Sequence, residues 1–185
     1  MDVFVALLRG VNVGGRRSLS MAGLRTSLEA FGWGRIRTYL QSGNLVFAAP
    51  EADPAAHARA IEERIHAVFE LTVDVLVVRG AELSDIAASV PFGTDPAVDE
   101  SYLHVTFLLA PVSSEAFAAV ELPAGEGERV SLSGRVVYLY LPHGYGRTKL
   151  NNAFFERAFR TRATTRNWKT VRALAALAGS GVDDS

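Results

Sequence analysis

The sequence predicts an α+β fold of two pseudo-repeated ferredoxin-like lobes, with antiparallel or mixed sheets and two extra helices at the C-terminal end. Three observations predict it. Apolar runs of strand length alternate with segments whose apolar residues recur at helical spacing. Two strand pairs turn at the same dipeptide, Ser42-Gly43 and Ser133-Gly134. Overlaying those dipeptides puts Val137 on Val46 and Tyr138 on Phe47, which reads as an internal duplication of a strand–helix–hairpin–helix unit. The lobes are expected to span residues 1–90 and 91–185 and to form one compact unit.

Each element has a local reason. Residues 3–9 are nearly all apolar, as in a strand buried on both faces. Met21, Leu24, Leu28 and Phe31 fall at helical spacing, and Gly32 and Gly34 end that helix. "RIRTYL" alternates, with Ile36, Thr38 and Leu40 on one face, and turns tightly at Ser42-Gly43 into "NLVF". Asp53 caps the next helix, with Pro54 at its first position. Ile61, Ile65, Val68 and Phe69 form its expected buried stripe, and "TVDVLVV" is the following strand. The second half has a short helix in "AELSDIAASV", a loop over 91–99 and a strand in "YLHVTFLLA". Then come a serine-capped helix in "SSEAFAAVE" and the hairpin "ERVSLSGRVVYLYL". Two helices close the chain, over 151–159 and 167–178, the second with Trp168, Val171, Leu174 and Ala175 inward.

Composition narrows the function. The 185 residues are 49% hydrophobic and 21% charged, as in a globular domain, and the absence of cysteine excludes disulfides, zinc–thiolate sites and thiol catalysis. With no secretory signal or membrane span, a cytoplasmic protein without a membrane partner is expected. The net charge of −1 conceals a segregation: about +4 over residues 1–48, −11 over 49–133 and +6 over 134–185. Basic ends make an anionic partner more plausible than the total suggests.

Three donor-rich segments could carry binding. In "LLRGVNVGGRR", a strand runs into Gly10, Gly14 and Gly15 with Arg9 and Asn12 beside them. The spacing matches neither a P-loop nor a dinucleotide fingerprint, so the alternative is a sharp exposed turn. The second segment, "GYGRTKLNN", brings Arg147, Lys149 and Asn151 from a strand into a helix. The third, "TRATTRNWKT", reads as a helix start rich in donors, Thr165, Arg166 and Asn167, followed by Trp168. The first hairpin adds Arg37, Tyr39, Gln41, Ser42 and Asn44. His57 and His66 read as surface residues, His104 as a satisfied sheet residue, and His143 as the one histidine near the donor clusters. No hydrolase elbow, metalloprotease helix or catalytic triad is present, and no motif identifies a catalytic residue, a metal or a cofactor.

The stretches "ALLRGVNVGG", "MAGLRTSLEAFGW", "RTYLQSGNLVF", "GYGRTKLNNAFFER" and "ATTRNWKTVRAL" together resemble the bacterial family called domain of unknown function 1697. The resemblance covers nearly the whole chain. It implies a compact α/β protein of related halves and no established activity, substrate or catalytic residue. Two positions depart from the family pattern. Lys169 stands where members often carry Asn, and "SVPFG" lacks the Asn ahead of its Pro-Phe pair.

Three functional classes follow. One is a binder or enzyme for a phosphate-bearing small molecule, held where the three segments and the first hairpin converge. Another is an RNA-binding module that stacks bases on Tyr39, Phe47, Tyr138 and Tyr140. The last is a protein-interaction or structural role for the acidic middle. The first is preferred, because the polar motifs sit at strand-to-helix loops, where compact anion sites form.

Overall fold

The structure, a computed structural model, describes residues 1–12, 18–92 and 95–180. Its chain divides into two units, Met1–Ala88 with Arg172–Ser185, and Ser89–Val171.

In the first unit, β1 (Asp2–Leu8) leads to α1 (Met21–Leu28), then to the hairpin of β2 (Gly34–Thr38) and β3 (Asn44–Ala49). α2 (Pro54–Phe69), β4 (Val75–Arg79) and α3 (Gly80–Ala88) follow. The sheet order is β2-β3-β1-β4, antiparallel throughout. Phe4, Ala6, Leu8, Leu45 and Phe47 share the face covered by Leu24 and Leu28 of α1 and Ile61 and Ile65 of α2. The opposite face is equally apolar: Val5, Leu7, Val46 and Val78 are all buried. The expected caps form, Ser20 accepting from the Gly23 N–H and Asp53 from the Ala55 N–H.

The second unit has β5 (Leu103–Leu108), α4 (Ser114–Ala118), β6 (Arg129–Ser133), β7 (Val136–Tyr140), α5 (Asn152–Phe159) and β8 (Ala163–Asn167). Its order, β6-β7-β5-β8, is that of the first sheet with each strand in the corresponding place. Both sheets are thus the antiparallel, ferredoxin-like kind, and the two lobes are similar. α6 (Trp168–Gly179) ends the described chain; from Arg172 on it belongs to the first unit. There Gly80 lets α3 start close against it: a Cβ at Gly80 would stand 3.1 Å from the Ala178 Cβ.

Several expectations change. The segment 163–167 is a strand, not the start of a helix, and it pairs with β5 from His104↔Asn167 to Leu108↔Ala163. It completes the second lobe, so the helix α5 is that lobe's own crossover. The first hairpin is wider than a Ser-Gly turn. Thr38 still pairs with Leu45, and Leu40 and Gly43 between them both have positive φ, 58° and 82°. Any Cβ at Gly43 would collide with Val11 and Leu8. β4 starts at Val75 rather than at Thr72. Val68 is exposed. His57 lies in the core, its ring edge-on to Phe4, Trp33 and Phe47 and its Nε2 3.2 Å from the Pro50 carbonyl. The spacing of His57, Ile61 and Ile65, four residues apart on α2, is the signal that places it there.

Candidate functional site

Most polar residues singled out in the first lobe are occupied by its own backbone. Asn12, at φ 55°, donates to the carbonyls of Leu19 (2.9 Å) and Gln41 (2.7 Å), and its Oδ1 accepts from the Leu19 N–H (2.8 Å). One amide thereby joins the two ends of the first loop and ties them to the hairpin. Asn44 is fully buried and donates to the Tyr39 carbonyl and the Ser42 hydroxyl. Both asparagines hold turns, a role their short amides suit. Arg9 faces Asp74 at 3.7 Å. Gln41 and Ser42 are exposed. Gly14 and Gly15 lie outside the described residues. Arg37 is exposed on the edge strand β2 and, with Arg35, lines a shallow cleft over Val46 and Ala48. A register shift between Gly34 and Arg37 accompanies a positive φ of 52° at Arg35, the mark of a bulge.

In the second lobe two of the three segments meet. Leu141 and Leu150 are buried and pin the ends of the loop that carries "GYGRTKL". Within it, Gly144 takes a φ of 83°, its N–H donates to the Leu141 carbonyl, and its own carbonyl accepts from the Arg147 N–H. Thr148 is buried, its hydroxyl accepting from the Leu150 N–H. Tyr145 reaches back to the sheet: its ring stacks on His104 with centroids 5.4 Å apart, and its hydroxyl donates to Thr165 Oγ1 at 3.3 Å.

That hydroxyl of Thr165 is the centre of a network. It donates to Asn152 Oδ1 at 2.7 Å, so the 2.8 Å contact with Thr106 must have Thr106 as donor. Thr165 then gives one bond and accepts two, its full capacity. The Tyr145 oxygen in turn accepts from the Asn152 N–H in the first turn of α5. Such a satisfied network fixes β5, β8, α5 and the loop in one arrangement. Thr106 and Asn152 are not legible as partners from the sequence, because strand register alone brings Thr106 opposite Thr165.

The remaining predicted residues divide by exposure. Arg147 and Lys149 are exposed and have no carboxylate in ion-pair reach among the described residues. Asn151 caps α5 by accepting from the Phe154 N–H. Asn167 caps α6 by accepting from the Thr170 N–H and is itself exposed. Arg166 is buried and donates to Thr164 Oγ1 and the Thr165 carbonyl; burial brings its guanidinium down to about 10, still charged at neutral pH. Trp168 is buried. His104 contacts the Tyr102 carbonyl through Nδ1, and burial lowers its pKa, which favours the neutral ring. The stacking surface proposed for RNA fares badly. Phe47 is wholly buried and Tyr138 is 2% exposed, so neither can meet a base. Tyr140 instead packs against the Arg129 guanidinium. No group of three or more His, Asp or Glu is placed to hold a metal among the described residues, and no helix there is long and apolar enough to cross a membrane.

The model of a protein family of unknown function, DUF1697, matches residues 1–138. The chain belongs to that family. DUF1697 carries no assigned activity in its description, so membership leaves the chemistry to be argued from the residues. No curated protein matches the chain. Among solved structures, it is similar to the conserved bacterial protein SP0830 from Streptococcus pneumoniae, at 19% identity and a TM-score of 0.71. That likeness spans 96% of this chain and 98% of the other, and it supports the repeated fold of this DUF1697 member.

Proposed function

We propose that the protein binds a phosphate-bearing or otherwise anionic small molecule at the end of the second lobe, where the loop of Arg147 and Lys149 adjoins the β8–α6 junction. The observation that carries this reading is a pair of exposed cations without carboxylate partners on a loop clamped to β8 through Tyr145 and Thr165. Preorganised donors lose little entropy on binding, so they hold an anion better than mobile ones. Asn167, which pairs in the sheet with the His104 that Tyr145 stacks on, opens α6, and the partial positive charge of a helix N-terminus favours an anion there.

The test is a thermal-shift screen with inorganic phosphate, nucleotides, sugar phosphates and short RNA. A ligand at a hundredfold excess over its Kd adds about 2.7 kcal/mol of stability. A phosphorylated small molecule is expected to raise the midpoint of the wild type and to lose that effect in the Arg147→Ala/Lys149→Ala protein. A shift with RNA alone, or with no phosphorylated compound, overturns the reading.

A further inference from the structure

The edge strands of the two sheets are not treated alike. A strand with open N–H and C=O groups is a template for pairing with another chain, and proteins guard such edges. In the first sheet the edges are β2 and β4, in the second β6 and β8. β2 is broken by its bulge and carries the exposed Arg35 and Arg37. At the start of β4, Glu62 Oε1 of α2 accepts from the Val75 N–H at 2.8 Å. At the start of β8, Glu156 Oε1 of α5 accepts from the Ala163 N–H at 2.9 Å. Both amides point outward from their sheets. The residue before each, Asp74 or Arg162, turns its carbonyl inward to the N–H of Arg9 or Leu109, just past β1 or β5. Equivalent carboxylates thus cover equivalent edges in the two lobes.

β6 has no such guard. The Arg135 carbonyl accepts from the Leu108 N–H, so odd-numbered residues of β7 face β5 and even-numbered ones face β6. The register of β6 runs unbroken from Arg129↔Tyr140 to Ser133↔Val136. Arg129, Ser131 and Ser133 therefore bond to β7, and Val130 and Leu132 turn their N–H and C=O groups outward. Neither has a backbone partner on that side among the described residues. The strand's one charge, Arg129, is drawn onto Asp95 and the Tyr140 ring. The pattern is also self-complementary. An antiparallel copy centred on Ser131 sets Val130 against the copy's Leu132, so the outward groups of one strand meet those of the other. That apolar pair lies on the face where both side chains already pack against the lobe's core. Arg129 falls opposite Ser133 rather than opposite itself, so no like charges meet. We propose that the protein self-associates through β6, two copies joining their second sheets antiparallel about a twofold axis at Ser131. Such pairing is isologous and uses both bare edges, so it closes at the dimer. A strand of five residues covers less than the roughly 1,600 Å² of a standard interface, so the dimer is weak, with a Kd on the order of 10–100 μM.

The experiment is sedimentation velocity of the full chain from about 5 to about 500 μM, a range that brackets such a Kd. The wild type is expected to pass from monomer to dimer across it. Ser131→Lys sets two cations against each other at the axis and should weaken dimerisation at least about tenfold. Ser131→Glu should do the same, and an equimolar mixture of the two variants should associate again, lysine facing glutamate. A second readout needs no variant. Raising the wild-type concentration should slow amide exchange at Val130 and Leu132 more than at Ser131, whose N–H already bonds to β7. A wild type that stays monomeric throughout overturns the proposal and leaves the edge to a foreign strand. Growth beyond the dimer overturns it too. So does a dimer to which folded Ser131→Lys protein contributes as readily as wild type. Exchange at Val130 and Leu132 that ignores concentration has the same force, whether or not the variants fold.

Discussion

At the scale of single residues, the asparagines separate what the sequence shows from what it cannot. Asn12, Asn44, Asn151 and Asn167 were all candidate ligand donors, and all four bond to backbone groups. Asparagine in a loop serves a turn or a ligand with the same atoms, so the sequence alone cannot choose between them. His104 is legible in another way. Its mid-strand position predicted a satisfied sheet residue, and it contacts the Tyr102 carbonyl and stacks on Tyr145. Burial lowers its pKa below the ordinary 6.5, so the unfolded chain takes up a proton that the folded one refuses. Stability supplied by the neutral ring is complete above pH 6.5 and is lost as pH falls through the lowered folded value. The thermal midpoint should therefore drop as pH is lowered below 6.5. His104→Phe, which keeps a ring against Tyr145, should flatten that slope. Equal slopes in the two proteins would show that the imidazole contributes nothing to it.

Elements were read best where their hydrophobic period was long. α2, with its cap, its proline and four turns of pattern, was clear from the sequence; β8 was not. Ala163–Asn167 is only five residues, lies between two helices, and is mostly polar, so its threonines read as caps rather than as β-branched strand residues. The internal repeat was half legible. Strand order is the same in both sheets, yet the Ser-Gly overlay is out of register. It sets Phe47, on the helix-covered face, upon Tyr138, whose neighbours Val137 and Leu139 hold that face in the second lobe. An offset of one residue inverts every side chain of a strand, and the wider first turn supplies the offset. Because β8 is an edge strand, the network at Thr165 carries much of what holds it to α5 and the loop. Tyr145→Phe keeps the stack on His104 and removes one donor to Thr165 and one acceptor for the Asn152 N–H. It should cost about 1–2 kcal/mol in urea denaturation and speed amide exchange in β8 more than in β7. Uniform exchange across the second sheet would argue that the network does not hold the edge.

Over the whole molecule, charge matters more through its distribution than through its sum. Part of the acidic middle is spent within its own lobes. Glu51 meets Arg79 through both carboxylate oxygens, which holds it at about 2, and Asp95 meets Arg129 at 2.6 Å. These pairs are solvent-exposed and contribute little to stability, so salt should change the stability of the unliganded protein little. Arg147 and Lys149 are different, because no carboxylate among the described residues offsets them. An anion bound there is held by exposed charge, which the solvent screens over about 10 Å at 0.1 M salt and about 3 Å at 1 M. Raising sodium chloride from 0.05 to 0.5 M should therefore weaken pyrophosphate binding severalfold in calorimetry while the ligand-free thermal midpoint stays within a few degrees. Chloride competes for the same donors, so the titration should be repeated in sodium acetate to separate screening from competition. Affinity that ignores both salts would place the ligand away from these two cations, on groups buried deeply enough to escape screening.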